Sequence, residues 1–145
     1  MTDQSNRQRP RVALLIPTAR RAEVLTPAAL AHLRQIVDLR EGEGGTAEIA
    51  RQLPTLLADA DACLTGWGSP PLTDEILDAA PKLRLVAHTA GSVKRLVPES
   101  IFERGIVVSH AAGVIADAVA EYTILVMLLG LRRVHEMDRA LHAGA

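Results

Sequence analysis

The stretch Leu83–Glu121, LRLVAHTAGSVKRLVPESIFERGIVVSHAAGVIADAVAE, decides the fold. Two apolar runs, Leu83 to Ala87 and Ile106 to Val108, each lead into a histidine and a turn of small residues, and a long apolar helix follows. Continuous apolar runs of this length suit strands buried on both faces of a parallel sheet. As parallel strands they set His88, Thr89, Gly91 and Ser92 at the carboxyl end of one, and Ser109, His110 and Gly113 at the carboxyl end of the other. Open α/β sheets take their ligands outside the carboxyl ends of their strands, so this edge is the candidate site.

Outward from that stretch the pattern repeats. Val12 to Ile16 is an apolar run closed by Pro17, and Asp61 to Thr65 is another, closed by Gly66-Trp67-Gly68. A short strand can begin at Ile36 to Leu39. Thr26 before Pro27 reads as a helix start, with a hydroxyl at the N-cap and proline at the first helical position. Thr46 with Ile49, Leu53, Leu56 and Leu57 reads as a second helix, which Pro54 is expected to kink or split. Thr73 is expected to cap a third, whose first turn carries Asp74 and Glu75, the favourable charge for that end. Pro98 to Arg104 is a short helix ended by Gly105. Strand alternating with helix predicts an α/β fold, a parallel sheet with helices on both faces.

The last segment behaves differently. Ala118 to about Leu141 reads as one helix of about 24 residues, roughly 36 Å long. It is apolar on nearly all sides from Tyr122 to Leu131 and charged from Arg132 to Arg139. A helix apolar all round expects cover on all sides, which one small sheet does not supply. A second domain or a partner subunit is expected, with self-association through Tyr122–Leu131 as one outcome.

Composition excludes several classes. In a chain of 145 residues, sixteen basic and seventeen acidic side chains leave a net charge of −1. Nucleic-acid binding needs a clustered basic face, and the aromatics here are only Trp67, Phe102 and Tyr122, too few to stack bases. The lone Cys63 lies in an apolar run and reads as a buried, inert thiol. Met1 to Pro10 is polar, reads as a disordered lead-in, and has no signal-peptide core. The longest uninterrupted apolar run, Ile124–Leu131, is shorter than the roughly 20 residues a bilayer span needs. A soluble cytoplasmic protein without membrane contact is expected.

The chemistry the residues offer is limited. Backbone N–H groups of the turn Thr89-Ala90-Gly91-Ser92 can converge on an anion such as a carboxylate, or the turn is a plain strand-to-helix connection. His88 and His110 occupy equivalent strand ends, and either face one crevice or are two solvated loop histidines. Trp67 either walls the crevice or packs over the sheet edge. His135 and His142 share a helix face and read as surface or interface residues, and Glu121 reads as a carboxylate satisfied near a helix N-terminus. No metal site is expected, since no third ligand has suitable spacing. No GxGxxG or GxxxxGK[ST] occurs, and no Ser-His-Asp arrangement is present.

From Ala58 onward the chain resembles the D-isomer-specific 2-hydroxyacid dehydrogenases. The resemblance is carried by LLADADACLTGWGSPPLTDEILDAAPKLRLVAHTAGSV, then ERGIVVSHAAG, then ADAVAEYTILVMLLGLRR. It implies a flavodoxin-like substrate-binding domain over residues 11–115, incomplete in itself, after the lead-in of 1–10. Residues 116–145 would be the crossover helix toward an NAD-binding domain that this chain lacks. By the same resemblance Ala90, Gly91 and Ser92 give backbone N–H groups to the substrate carboxylate, with His88, Trp67 and His110 around it. Val119 faces the nicotinamide of NAD or NADP in the complete enzyme, while the chain alone binds no cofactor and is catalytically inactive. The substrate is a small 2-hydroxy or 2-keto acid. Departures from the family pattern are Lys94 at the usual aspartate, His110 where many members carry asparagine, and Ile115 where formate dehydrogenases carry asparagine.

Two further readings stand beside it. One is a free-standing, non-catalytic flavodoxin-like module that binds a carboxylate or docks a partner, as a homodimer or otherwise, through its apolar helix. The other is a receiver domain, disfavoured because Pro17-Thr18-Ala19 and Gly66-Trp67 stand where acidic residues would be needed.

Overall fold

A computed structural model describes residues 9–144, so most of the lead-in expected over 1–10 lies outside the described residues. Five strands, β1 (Arg11–Leu14), β2 (Asp38–Glu41), β3 (Ala62–Thr65), β4 (Leu85–His88) and β5 (Val107–His110), form one sheet in the order β2-β1-β3-β4-β5. Every pairing is parallel, with Val12 opposite Ala62, Cys63 opposite Val86, and His88 opposite His110. Reversal of the strand order at β1 and β3 is the doubly wound, flavodoxin-like arrangement.

The helices between the strands are α1 (Arg21–Val24), α2 (Pro27–Ile36), α3 (Thr46–Leu57), α4 (Asp74–Asp78) and α5 (Ser100–Glu103), with a 3-10 turn at Thr18–Arg20. The core joins sheet to helices through Ala13, Leu15, Ile49, Leu53, Leu57, Cys63, Leu77, Val86 and Ile101, all buried. Burial alone pushes the Cys63 thiol up to about 12, so it stays protonated and inert.

Local chemistry explains most boundaries. The Thr26 hydroxyl accepts from Ala29 N–H at 3.1 Å and caps α2, which runs on through Ile36 and displaces β2 to Asp38–Glu41. The Glu48 carboxylate accepts from Gly45 N–H at 3.0 Å at the start of α3, and its own backbone N–H first, then Gly45 and Arg51, hold its pKa below the usual range. Thr73 holds the N-cap position of α4 without a side-chain cap bond. Its hydroxyl instead serves Glu75, lowering that carboxyl's pKa.

Pro54 does not split α3, which is continuous from Thr46 to Leu57. An interior proline costs a helix about 3 kcal/mol. Ile49, Leu53 and Leu57 are all fully or nearly fully buried, and each contributes about 1.5–3 kcal/mol on burial, which outweighs that cost.

The chain separates into two compact units between Ala111 and Ala112. The second contains α6 (Ala112–Leu131) and α7 (Val134–His142). One helix was expected over this region, and the structure divides it. Arg133 takes a left-handed conformation, φ 52° and ψ 36°, and its N–H closes onto Gly130 O at 3.0 Å. Gly130, a poor helix former, sits where the all-apolar sequence ends and the charged one begins. Arg133 then pairs with Glu136 in the first turn of α7.

α6 also starts earlier than Ala118, so its 20 residues are long and apolar enough to match one bilayer span by length and composition. That property belongs to the whole helix rather than to the run Ile124–Leu131, and the helix carries Asp117 and Glu121 within it. No residue of α6 is buried, and Tyr122, Ile124, Leu125, Met127 and Leu131 are among its exposed apolar side chains.

Candidate substrate-binding site

The carboxyl edge of the sheet is built by three strand ends and two turns. Thr65, His88 and His110 are the last residues of β3, β4 and β5, and they stand in register across the sheet. Thr65 is fully buried. Its hydroxyl lies 3.0 Å from His88 Nδ1 and 3.3 Å from Ala87 O, so its one proton goes to the ring or to the carbonyl. His88 is therefore no solvated loop residue: the side chain is 8 % exposed and fixed from below by Thr65. Desolvation first, then the neighbouring His110, hold its pKa below the usual value, so the ring is neutral near pH 7. His110 is exposed at the end of the outermost strand.

The β4 turn is locked to the β3 turn beneath it. Thr89 N–H and its hydroxyl both donate to Thr65 O, at 2.8 and 3.0 Å. Gly66 passes directly under Thr89: a Cβ at Gly66 would stand 2.6 Å from Thr89 Oγ1. Gly66 N–H donates to Ser69 Oγ at 2.9 Å, and that hydroxyl donates to Leu15 O at 2.9 Å, tying the turn to β1. Ala111 N–H donates to Ala90 O at 3.0 Å, which holds the turn from the β5 side.

These bonds leave the amides of the turn itself unspent. Among the described residues none accepts a hydrogen bond from the N–H of Ala90, Gly91 or Ser92. Ala90 is buried, Gly91 half-buried and Ser92 exposed, so the turn rises from the core to the surface. A Cβ placed on Gly91 meets nothing within 4 Å, so the space above it is open. Three successive unpaired amides beside open space form a cradle suited to an anion.

Trp67 stands on the same edge, 52 % exposed, following Gly66. Val119 lies on α6 and is 55 % exposed. Residues 1–145 contain no GxGxxG loop of the kind that cradles a dinucleotide pyrophosphate. Among the described residues no three His, Cys, Asp or Glu side chains gather as metal ligands. A cavity of about 360 Å³ lined by Leu77, Asp78, Pro81, Arg84 and Arg104 lies toward the amino end of β4, where Arg104 is already paired with Asp74 and Asp78.

A doubly wound parallel sheet with unpaired amides at the carboxyl end of its fourth strand defines an α/β domain with a candidate anion site at that edge. Residues 21–140 match the D-isomer specific 2-hydroxyacid dehydrogenase, catalytic domain, and the chain belongs to that family. A glyoxylate reductase from Thermofilum pendens is 37% identical over 87 residues, covering 59% of this chain and 24% of the relative. A glyoxylate reductase from Thermococcus kodakarensis is 35% identical over 98 residues, covering 67% of this chain and 29% of the relative. Among solved structures, a phosphoglycerate oxidoreductase from Rhizobium etli is 28% identical with a TM-score of 0.62, covering 94% of this chain and 41% of that one. The chain thus spans about a quarter of the curated relatives it matches.

Sequence alone had not assigned Thr65 or Ser69 a part in this edge. The available signal was a hydroxyl residue immediately before the glycine of a strand-end turn, and a serine three residues beyond that glycine.

Proposed function

We propose that this chain is the substrate-binding part of an NAD(P)-dependent oxidoreductase acting on the CH–OH group of a 2-hydroxy acid. The observation that carries the reading is the set of three unpaired amides at Ala90, Gly91 and Ser92, on the carboxyl edge of a domain of this family. The substrate carboxylate accepts from those N–H groups. His88, in its neutral form, with His110 and Trp67, surrounds the rest of a small 2-keto acid. The nicotinamide supplies hydride in the complete enzyme, and this chain's residues bind and orient the acid. Val119 on α6 would offer the nicotinamide an apolar contact in the complete enzyme, with residues 11–115 acting as the substrate domain and 116–145 as the crossover. The relatives' names make glyoxylate a natural first ligand to test.

Gly91→Ala tests this directly. Its backbone is unstrained and its new methyl meets no protein atom, so the domain folds normally. The methyl instead occupies the open space above the amides. Expected is unchanged circular dichroism with glyoxylate binding weakened at least about tenfold by calorimetric titration, or about 1.4 kcal/mol. Unchanged affinity overturns the cradle assignment. NADH oxidation driven by glyoxylate or pyruvate with the pure 145-residue protein overturns the assignment of hydride transfer to the complete enzyme.

A second reading draws on α6. Its exposed apolar surface favours a free-standing, cytoplasmic module that associates as a homodimer through Tyr122–Leu131. Sedimentation velocity that shows a discrete dimer, dispersed when Leu125 and Leu129 become aspartate, supports it. Recovery of the chain in the membrane fraction rejects it in favour of a span.

A further inference from the structure

Two adjacent arginines follow the end of β1, and they have different fates. Arg21 is spent on the fold: its guanidinium donates to Ile16 O at 3.0 Å, to the Glu41 carboxylate at 2.9 Å, and to Gly42 O. Arg20 is not. Its side chain is 52% exposed, and among the described residues its one ion pair is a loose one with Glu23 at 3.5 Å. Exposed pairs of that kind contribute about 0–1 kcal/mol and yield easily to a better partner.

The position of Arg20 is nonetheless set. Its stem lies against Gly68, where a Cβ would stand 3.5 Å from Arg20 Cδ and 3.6 Å from Nε. Gly68 has a φ of +80°, and its carbonyl accepts from the Thr46 hydroxyl at 2.6 Å. Pro17 packs beside the same glycine, so the floor under the arginine is rigid. Trp67 is the residue before it, and Gly66, one further back, carries the contact to Thr89 of the amide cradle.

The spacing follows from the chain. Gly66 touches the β4 turn and Gly68 touches Arg20, and two residues span at most about 7 Å. The guanidinium extends past that point, so the cradle and the cation are on the order of 10 Å apart on one edge. That gap accommodates a short acid with an anionic group at each end.

We propose that Arg20 is a specificity-determining residue that selects 2-keto acids carrying a second anionic group, carboxylate or phosphate, at the end remote from the keto acid. The inference rests on the carboxylate cradle at Ala90–Ser92 and adds the distal partner. Arg20 leaves Glu23, and its planar fork pairs with two oxygens of the distal group, while Trp67 lies between the two anchors.

Trp67 is the one tryptophan of the chain, so its fluorescence reports this edge alone. The 145-residue protein is titrated with glyoxylate, 2-oxoglutarate and phosphohydroxypyruvate, as wild type, Arg20→Gln and Arg20→Lys. Expected is at least about tenfold tighter binding of one or both dianions than of glyoxylate, or about 1.4 kcal/mol. Arg20→Gln collapses that ratio toward one, and Arg20→Lys keeps part of it, because the charge remains while the fork is lost. Which dianion gains more separates a carboxylate from a phosphate as the natural distal group. A ratio unaffected by Arg20→Gln, or no preference in the wild type, overturns the role of Arg20. Failure of glyoxylate and both dianions to bind any variant overturns the cradle itself, and with it the inference. Arg20 is exposed, and circular dichroism confirms that each variant is folded before titration.

Discussion

Gly66→Ala is the substitution through which the site and the fold are most tightly coupled. The added methyl would stand 2.6 Å from Thr89 Oγ1, with Ile16 Cδ1 at 3.2 Å and Cγ1 at 3.3 Å on its other side. It cannot retreat from one without pressing on the other. Thr89 cannot yield freely either, because its N–H and hydroxyl are both bonded to Thr65 O. Overpacking a tight site costs about 1–3 kcal/mol, and loss of the Thr89 hydroxyl bond adds about 0.5–1.5 kcal/mol. A loss of about 2–4 kcal/mol is expected, and with a urea slope of about 2 kcal/mol per M the unfolding midpoint falls by about 1–2 M. The decisive measurement is a double-mutant cycle with Thr89→Ala, which removes the obstructing oxygen. In that background Gly66→Ala should cost about 1 kcal/mol or less, giving a coupling of at least about 1 kcal/mol. Equal costs in the two backgrounds, within about 0.3 kcal/mol, would refute the steric account.

Three further outcomes are expected. The pKa of His88 is depressed on folding, so between that value and the usual value of about 6.5 the unfolded chain binds the extra proton and stability rises with pH. Urea midpoints should therefore fall as pH drops below about 6.5, and His88→Gln should flatten that dependence; an unchanged slope would remove His88 as its source. Pro54→Ala relieves an exposed interior proline in α3 and should stabilise the protein by about 1–3 kcal/mol, read as a raised urea midpoint. Cys63, with its thiol pushed up to about 12 by burial, should resist thiol reagents in the native state and react only on unfolding.

Four strands of the sheet were legible because they lie in short apolar runs closed by proline, glycine or histidine; β2, Asp38–Glu41, is mostly charged and only its start near Ile36–Leu39 was readable. The helix cap at Thr26 was readable because capping chemistry is local, whereas Thr73 holds its N-cap position without a side-chain bond. What escaped the sequence was decided by contacts across distance. Pro54 reads as a break, and only the burial of Ile49, Leu53 and Leu57 on the far face shows why the helix continues. The sequence leaves His88 either facing the crevice or solvated in a loop, and only the register with Thr65 puts it under cover. The end of α6 was invisible because Arg132-Arg133 changes the polarity of the pattern without changing its period, and a left-handed residue leaves no composition signal. In the site, Gly91 and Ser92 could be named from the turn, but the unspent state of their amides depends on where Ala111 and Thr65 direct the neighbouring bonds.

The central place of β1 has a consequence for synthesis. Its two neighbours are β2 and β3, so the first strand made is not enclosed until Thr65 has emerged. At roughly 5–20 residues per second, the interval from Arg11 to Thr65 lasts roughly 3–11 s. Throughout it Val12, Ala13 and Leu14, buried in the finished sheet, have an open edge on at least one side. Nascent chains stalled before β3 therefore present the stickiest part of the domain, and those stalled beyond β3 have already hidden it.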